Sequence, residues 1–134
     1  MGYKFEQLEV WQLALEYTDL CYPLARQLPQ DEKYNLSSQL KRASTSIALN
    51  IAEGSTSQTD REQARFLGMA IRSLVETVAC LHLIHRRNYL SDLTPLREAY
   101  RLSEKLFAKL QSFRHALTGN TIQEPEPMYE TMPF

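Results

Sequence analysis

The sequence predicts an all-α protein, an antiparallel up-down-up-down four-helix bundle. Two observations predict it: apolar residues recur at spacings of three and four in four separate stretches, and helix breakers are rare within those stretches. The chain of 134 residues holds four glycines and six prolines, and three of the prolines, Pro125, Pro127 and Pro133, lie in the last ten residues. A chain of this length buries enough apolar surface to fold as one domain without disulfides or metal ions.

The first helix is predicted to run from about Gln7 to about Leu28, where apolar residues recur at near-helical spacing. Pro23 lies inside this pattern and removes one backbone donor, which predicts a kink or a break. Pro29 and the polar residues that follow it end the helix and supply the turn.

The second helix is predicted to run from Asn35, a residue type that caps helices, to Gly54. Its seam consists of Leu36, Leu40, Ala43, Ile47 and Ile51. Small residues beside this seam allow a neighbouring backbone to approach closely. At the end of the helix, we expect Gly54 to take the left-handed conformation that closes many helices.

The third helix is predicted to start at a cap on Thr59 or Asp60 and to end near Asn88, and Thr59 with Glu62 fits a capping box. Its apolar residues are Phe66, Leu67, Met69, Ala70, Ile71, Leu74, Val75, Val78, Leu81, Leu83 and Ile84. This set is too wide for one side of a lone bundle, and a helix that is apolar over most of its circumference is buried on more than one side. We therefore expect a second subunit to cover part of it, in a closed homo-oligomer.

The fourth helix is predicted to begin after Ser91 or Asp92, or at Thr94 with Pro95 in the first helical position, and to end near Leu117. Its seam alternates steps of three and four: Leu96, Ala99, Ser103, Leu106, Leu110, Phe113 and Leu117. The bundle thus occupies residues 1–117, and residues 118–134 are predicted to be a flexible, acidic, proline-containing tail. Four apolar residues of this tail are candidates for docking on a neighbour: Met128, Tyr129, Met132 and Phe134.

The net charge of −1 hides an uneven distribution. The tail carries Glu124, Glu126 and Glu130 and no lysine or arginine, which leaves 15 basic and 13 acidic residues in the bundle. Between residues 86 and 117 there are seven basic residues and three acidic ones, a local excess of four positive charges. This excess is the charge feature that suggests a polyanionic partner.

Four basic residues follow one another at spacings of four along the fourth helix: Arg97, Arg101, Lys105 and Lys109. We call them the basic stripe, and at the α-helical rise it is about 18 Å long. Such a stripe suits a phosphate backbone, and with the preceding Arg86 and Arg87 it is predicted to contact RNA or DNA. A solvated surface is the alternative interpretation, because Glu98 and Glu104 are interleaved with the basic residues.

Two segments resemble the signatures of a known family: residues 37–54, SSQLKRASTSIALNIAEG, and residues 5–11, FEQLEVW. Over about residues 3–117 the chain resembles the four-helix bundle proteins encoded within intervening sequences of bacterial 23S ribosomal RNA genes. It is also similar to the accessory variability protein of diversity-generating retroelements, which partners a reverse transcriptase and binds nucleic acid. The resemblance implies a closed homo-oligomer, commonly a pentamer, without catalytic activity.

We single out six residues of the longer signature, five polar ones and a glycine: Gln39, Arg42, Ser46, Asn50, Glu53 and Gly54. Polar residues in an apolar helix need partners, because an unsatisfied buried polar group costs about 1–3 kcal/mol. We interpret them as a buried or interfacial polar network that fixes helix register and oligomer geometry. A surface that binds a ligand or nucleic acid is the alternative.

No pattern in the sequence indicates catalysis, since it shows no nucleophile–base set, no paired carboxylates and no glycine-rich phosphate loop. His82 and His85 are three apart on one helix, but a zinc site needs three or four converging ligands, so neither a metal nor another cofactor is predicted. Cys21 and Cys80 lie in apolar helical patterns and are predicted to be buried free thiols.

The expected location is the cytoplasm, because the N-terminus lacks a basic-then-apolar signal and no uninterrupted run of about 18 apolar residues predicts a membrane span. The expected partners are other copies of the chain and RNA or DNA, with no membrane. The alternative function is a scaffold that recruits a protein partner, such as a polymerase, without contacting nucleic acid.

Overall fold

The structure, a computed structural model, describes residues 2–119 and 132–134. Over these residues it contains four α-helices: α1 (Glu9–Arg26), α2 (Leu36–Gly54), α3 (Asp60–Arg86) and α4 (Thr94–Thr118). Short 3₁₀ turns at Lys4–Gln7 and Gln30–Glu32 precede α1 and α2. Each helix packs against the next one along the chain, and α1 also packs against α4. These contacts close the four-helix bundle that the sequence predicts.

The core consists of the apolar seams of the four helices. Its largest fully buried side chains are Tyr17, Leu24, Leu40, Ile47, Ile51, Leu67, Leu74, Leu81, Ile84, Leu96, Leu106 and Leu110. Burying an aliphatic side chain of this kind stabilises the fold by about 1.5–3 kcal/mol before the entropy of ordering is subtracted. The buried Tyr17 hydroxyl is paired with the Thr77 hydroxyl at 2.7 Å, so this polar group inside the core is satisfied.

Two helix ends follow the prediction and one departs from it. The Thr59 hydroxyl accepts a hydrogen bond from the Glu62 backbone N–H at 3.1 Å, which caps α3 as expected. α4 begins at Thr94, the last of the predicted alternatives, and its first N–H donates to the Asp92 carboxylate at 2.9 Å. Asn35 occupies the cap position of α2, but its side chain donates to Glu32 instead of capping the helix.

The prediction of a left-handed Gly54 is wrong, because the residues with positive φ among those described are Gly2, Asn88 and Gly119. Gly54 remains in α2, where an added Cβ would lie 2.8 Å from the Phe66 Cβ. Its lack of a side chain therefore serves close packing of α2 against α3. At the end of α3 it is Asn88, with φ of 57°, that takes the left-handed conformation.

The first helix also corrects an expectation. α1 runs through Pro23 as one continuous helix, so the predicted break does not occur. Pro23 is exposed on the outside of the bundle. The helix instead ends at Arg26, a little before the predicted end.

One described helix, α3, is long and apolar enough to cross a membrane by length and composition, with a mean hydropathy of 1.5 over its most apolar window. The sequence analysis required an uninterrupted apolar run, and α3 does not meet that requirement because polar residues interrupt its apolar ones. In the bundle α3 packs against both α2 and α4, and 44% of that window is buried. A core helix of a bundle passes the same test.

The sequence predicts a flexible tail, but most of it, residues 120–131, lies outside the described residues. Met128 and Tyr129 belong to this part. Met132 and Phe134 are described, and both pack against the core of their own chain. Within the single chain, Met132 and Phe134 therefore contact their own bundle.

The cysteines are both free and buried, and burial raises the pKa of the Cys21 thiol to about 12 and that of Cys80 to about 11. The pKa of Tyr17 is raised well above its ordinary value, chiefly by burial. The native bundle thus holds these three groups in their neutral forms.

We expect the substitution Gly54→Ala to lower the free energy of unfolding by about 1–3 kcal/mol, because the new methyl group overpacks the contact with Phe66. Gly68→Ala is the matched control. Its methyl group would meet the flexible end of Arg114 at 3.4 Å, so we expect no loss and a gain of up to about 1 kcal/mol from helix propensity. Urea denaturation measures both variants, and equal losses would contradict the packing role of Gly54.

We also expect stability to fall at alkaline pH. Unfolded thiols and tyrosines titrate near about pH 8.5 and pH 10, so above these values the unfolded chain releases protons that the native chain keeps. The free energy of unfolding then decreases from about pH 8.5 upward, by at most about 1.4 kcal/mol per group and pH unit. Urea denaturation as a function of pH measures this slope, and Cys80→Ala should make it shallower. A flat alkaline profile would show that these groups are not held neutral.

Candidate nucleic-acid interface and signature surface

The basic stripe lies on the outside of the bundle. α4 buries a seam that includes Leu96, Leu106 and Leu110, and the spacing of four places the stripe on the opposite side. All four members of the stripe are exposed: Arg97, Arg101, Lys105 and Lys109. An exposed row of cations along one helix is the arrangement that a polyanion can contact lengthwise.

The two ends of the stripe have partners within the protein. The Lys109 Nζ lies 3.5 Å from the Glu9 Oε1 of α1, in an exposed ion pair. At the other end, the Arg97 Nε donates a hydrogen bond of 3.0 Å to the backbone oxygen of Phe134. Within residues 2–119 and 132–134, Arg101 and Lys105 form neither an ion pair nor a side-chain hydrogen bond. The centre of the stripe is therefore its uncommitted part.

The interleaved acids do not neutralise this centre within the described part of the chain. Glu98 is exposed and Glu104 is half-buried, and neither forms an ion pair with the stripe among the described residues. Arg86 and Arg87 are exposed at the end of α3, where the chain turns towards the start of α4. The two arginines therefore lie at the end of the bundle that also carries Arg97.

The signature residues of α2 divide into an inner pair and an outer group. In the inner pair, the Asn50 Nδ2 donates to the Ser46 carbonyl at 2.9 Å and to the Ser46 hydroxyl at 3.1 Å. The Ser46 hydroxyl is also 2.9 Å from the Ser73 hydroxyl of α3. This short chain of hydrogen bonds joins α2 to α3 and fixes the register between them.

The outer group comprises Gln39, Arg42 and Glu53, which are all exposed. In the described part of the chain, no ion pair joins Arg42 to Glu53, so these two residues do not form a buried network within one chain. Leu49 lies between them with 56% of its surface exposed, beside an open groove of about 490 Å³ that Arg42 and Glu53 also line. A single exposed apolar side chain is common on protein surfaces, so Leu49 by itself does not indicate a contact with another molecule.

Sequence reasoning missed an aromatic–basic cluster at the α1–α2 edge. The Tyr22 ring has the Arg26 guanidinium and the Lys41 ammonium each 5.9 Å from its centroid, and its hydroxyl is 2.8 Å from the Thr45 hydroxyl. The three residues come from two helices, so only the antiparallel pairing of α1 and α2 brings the two cations to one ring. Such contacts stabilise the edge modestly and hold the cations in place.

Sequence reasoning also missed a set of hydrogen bonds to Glu32, which we call the polar clamp. The Tyr89 hydroxyl donates to Glu32 Oε2 at 2.7 Å, and the Asn35 amide donates to Oε1 at 2.9 Å. These bonds lower the pKa of Glu32 and raise that of Tyr89. The clamp ties the α1–α2 connection to the segment that follows α3, and Tyr89 is too distant from Glu32 in sequence for a local pattern to reveal the contact.

The two histidines that prompted the metal question lie around a phenylalanine. The ring centroids of His82 and His85 lie 5.2 and 5.0 Å from that of Phe134. Among the described residues, no group of three or more histidine, cysteine, aspartate or glutamate side chains is arranged to hold a metal ion. The pair instead lines an aromatic cleft.

Comparison with known families gives a clear result. The model of the 23S rRNA-intervening sequence protein family matches residues 6–112. The chain belongs to this family. The matched region contains α1 to α3 with the α2 signature and most of α4 with the whole basic stripe, which confirms the resemblance to the proteins encoded in 23S rRNA intervening sequences. No curated protein matches the chain.

Proposed function

We propose that this family member is a non-enzymatic homo-oligomeric scaffold, a pentamer in its expected form, that binds RNA or DNA through the outer surface of α4. The observation that carries the proposal is the exposed basic stripe with its uncommitted centre, Arg101 and Lys105. The binding requires no cofactor, and the expected location is the cytoplasm.

The physical basis is the release of counterions. Double-stranded nucleic acid carries one negative charge per about 1.7 Å of helix axis, and each phosphate that a lysine or arginine neutralises frees condensed ions. A stripe about 18 Å long reaches several phosphates. The net charge of the whole chain is close to zero, with a sequence pI of about 6.3, which makes the binding weak for one chain. Several copies of the stripe in one assembly would strengthen it by multivalency.

Support for an assembly comes from α3. Part of the wide apolar set predicted from the sequence remains on the outside: Met69 is 39% exposed, Val75 53% and Leu83 44%. These side chains lie along one helix whose other side is buried in the core. A second copy that covers them would remove this apolar surface from water, which is the expectation that led to the oligomer.

One observation favours a second candidate function, a scaffold that binds a protein partner without nucleic acid. A second open groove of about 450 Å³ along the α1–α2 edge is lined by Trp11, Leu15 and Leu49 among others. Apolar grooves of this kind accommodate side chains of a partner protein. This groove lies between α1 and α2, whereas the basic stripe lies on α4, so the two functions would use different sides of the bundle.

The double substitution Arg101→Gln with Lys105→Gln tests the nucleic-acid function. We expect weaker binding of single-stranded RNA and a shallower dependence on salt, by about 0.7 in the log–log slope for each lost phosphate contact. Fluorescence anisotropy at about 50 and 200 mM salt measures both quantities.

Arg61→Gln with Arg65→Gln is the matched control, because it removes the same charge from exposed positions on α3. The control should keep the wild-type salt slope. Equal losses in both double variants would indicate a diffuse charge effect and contradict a specific role of α4. Wild-type protein that does not bind RNA at low salt would leave the protein-partner function as the candidate.

A further inference from the structure

Between α3 and α4 the bundle has an aromatic cleft that its own chain fills. Phe134 is 9% exposed, and its ring centroid lies 5.0 Å from His85, 5.2 Å from His82 and 5.4 Å from Tyr100. His82 and Tyr100 contact it edge-on, and their rings also contact each other at 6.3 Å. We call the three residues His82, His85 and Tyr100 the aromatic cleft.

The segment is held at a second point. The Arg97 Nε donates to the Phe134 backbone oxygen at 3.0 Å, so the ring lies in the cleft while the backbone is fixed by a charged donor. Met132 packs against the core beside it. A pocket for a ring next to a guanidinium can bind an aromatic side chain and the backbone oxygen of the same residue. The arrangement is therefore suited to an aromatic peptide segment.

Arg97 links this site to the basic stripe. A guanidinium binds phosphate best as a fork, with two parallel N–H donors on one edge. When the Nε donates to Phe134, the edge that contains it is not available for a phosphate. The edge formed by the two Nη groups stays open, so docking of Phe134 removes one of the two edges by which Arg97 can bind a phosphate.

We propose that the aromatic cleft with Arg97 is a peptide-docking site, that Met132–Phe134 occupies it in cis, and that this occupancy weakens the contact of Arg97 with nucleic acid. The docking itself stands on the contacts above, whereas the competition rests on the proposed function. The occupant is the chain's own segment, and a peptide of the same sequence should replace it when the segment is displaced.

The docking is tested by NMR on the whole chain. A phenylalanine ring close to the two imidazoles shifts their proton resonances through its ring current. Two variants remove this ring: Phe134→Ala, and Phe134→Leu, which keeps an apolar side chain. We expect the side-chain resonances of His82 and His85 to shift away from their wild-type positions in both variants, each histidine by the same amount in the two. A synthetic Thr-Met-Pro-Phe peptide, added to Phe134→Ala, should return them towards the wild-type position. Imidazole resonances that are the same in all variants would overturn the docking.

The competition is tested by RNA affinity at low salt. We expect Phe134→Ala to bind single-stranded RNA roughly three- to tenfold more tightly, as one released charged donor would allow. The gain should vanish in an Arg97→Gln background, where both proteins should bind alike. All variants keep Glu124, Glu126 and Glu130, so the comparison does not change the charge of the tail.

The outcomes separate the two proposals. Wild-type protein that binds RNA, with no gain in Phe134→Ala or with a gain that persists in the Arg97→Gln background, overturns the competition and leaves the proposed function intact. No RNA binding by any variant overturns the proposed function and the competition together. In that case the imidazole resonances still decide whether the cleft is a docking site.

Discussion

The close approach of α2 and α3 is the contact on which the other features of the bundle depend. It requires small residues: Gly54 has no room for a Cβ against Phe66, and the Ser46 and Ser73 hydroxyls meet at 2.9 Å between the helices. Once this pair is in register, α1 and α4 close the bundle from the other side. The register also decides which residues remain outside, and these include Leu49 with its charged neighbours.

The helices follow from the sequence because their apolar spacing and end signals are local. The N-cap at Thr59 is an example, since the donor and acceptor are three residues apart. Gly54 shows the limit of local signals. A glycine before Ser-Thr-Ser fits a left-handed helix end as well as it fits a close helix contact, and only the position of Phe66 on α3 decides between them. Asn88, which does adopt the left-handed conformation, has no neighbouring glycine pattern to mark it.

Helical spacing alone predicts which residues of the candidate site lie on the same side of α4. A spacing of four places Arg101 and Lys105 on one side of a helix, and the structure exposes both. The partners at the ends of the stripe were not predictable, because Glu9 comes from the first helix and Phe134 from the last residues of the chain. The signature of α2 likewise divides by depth: Asn50 is buried and bonded to Ser46, whereas Arg42 and Glu53 remain outside. Spacing alone does not reveal that difference.

The structure thus separates stability from candidate function. The buried seams and the Ser46–Ser73 contact stabilise the fold. The exposed basic stripe and the exposed apolar residues of α3 lie outside the core and contribute little to its stability. The central claim is that these outer surfaces form an assembly that binds nucleic acid through its phosphates. Size-exclusion chromatography with light scattering, at low and high salt and with added RNA, tests it most directly. We expect an oligomer that persists at both salt concentrations and that carries RNA only at low salt. A monomer under all conditions would contradict it, and so would RNA that remains bound at high salt.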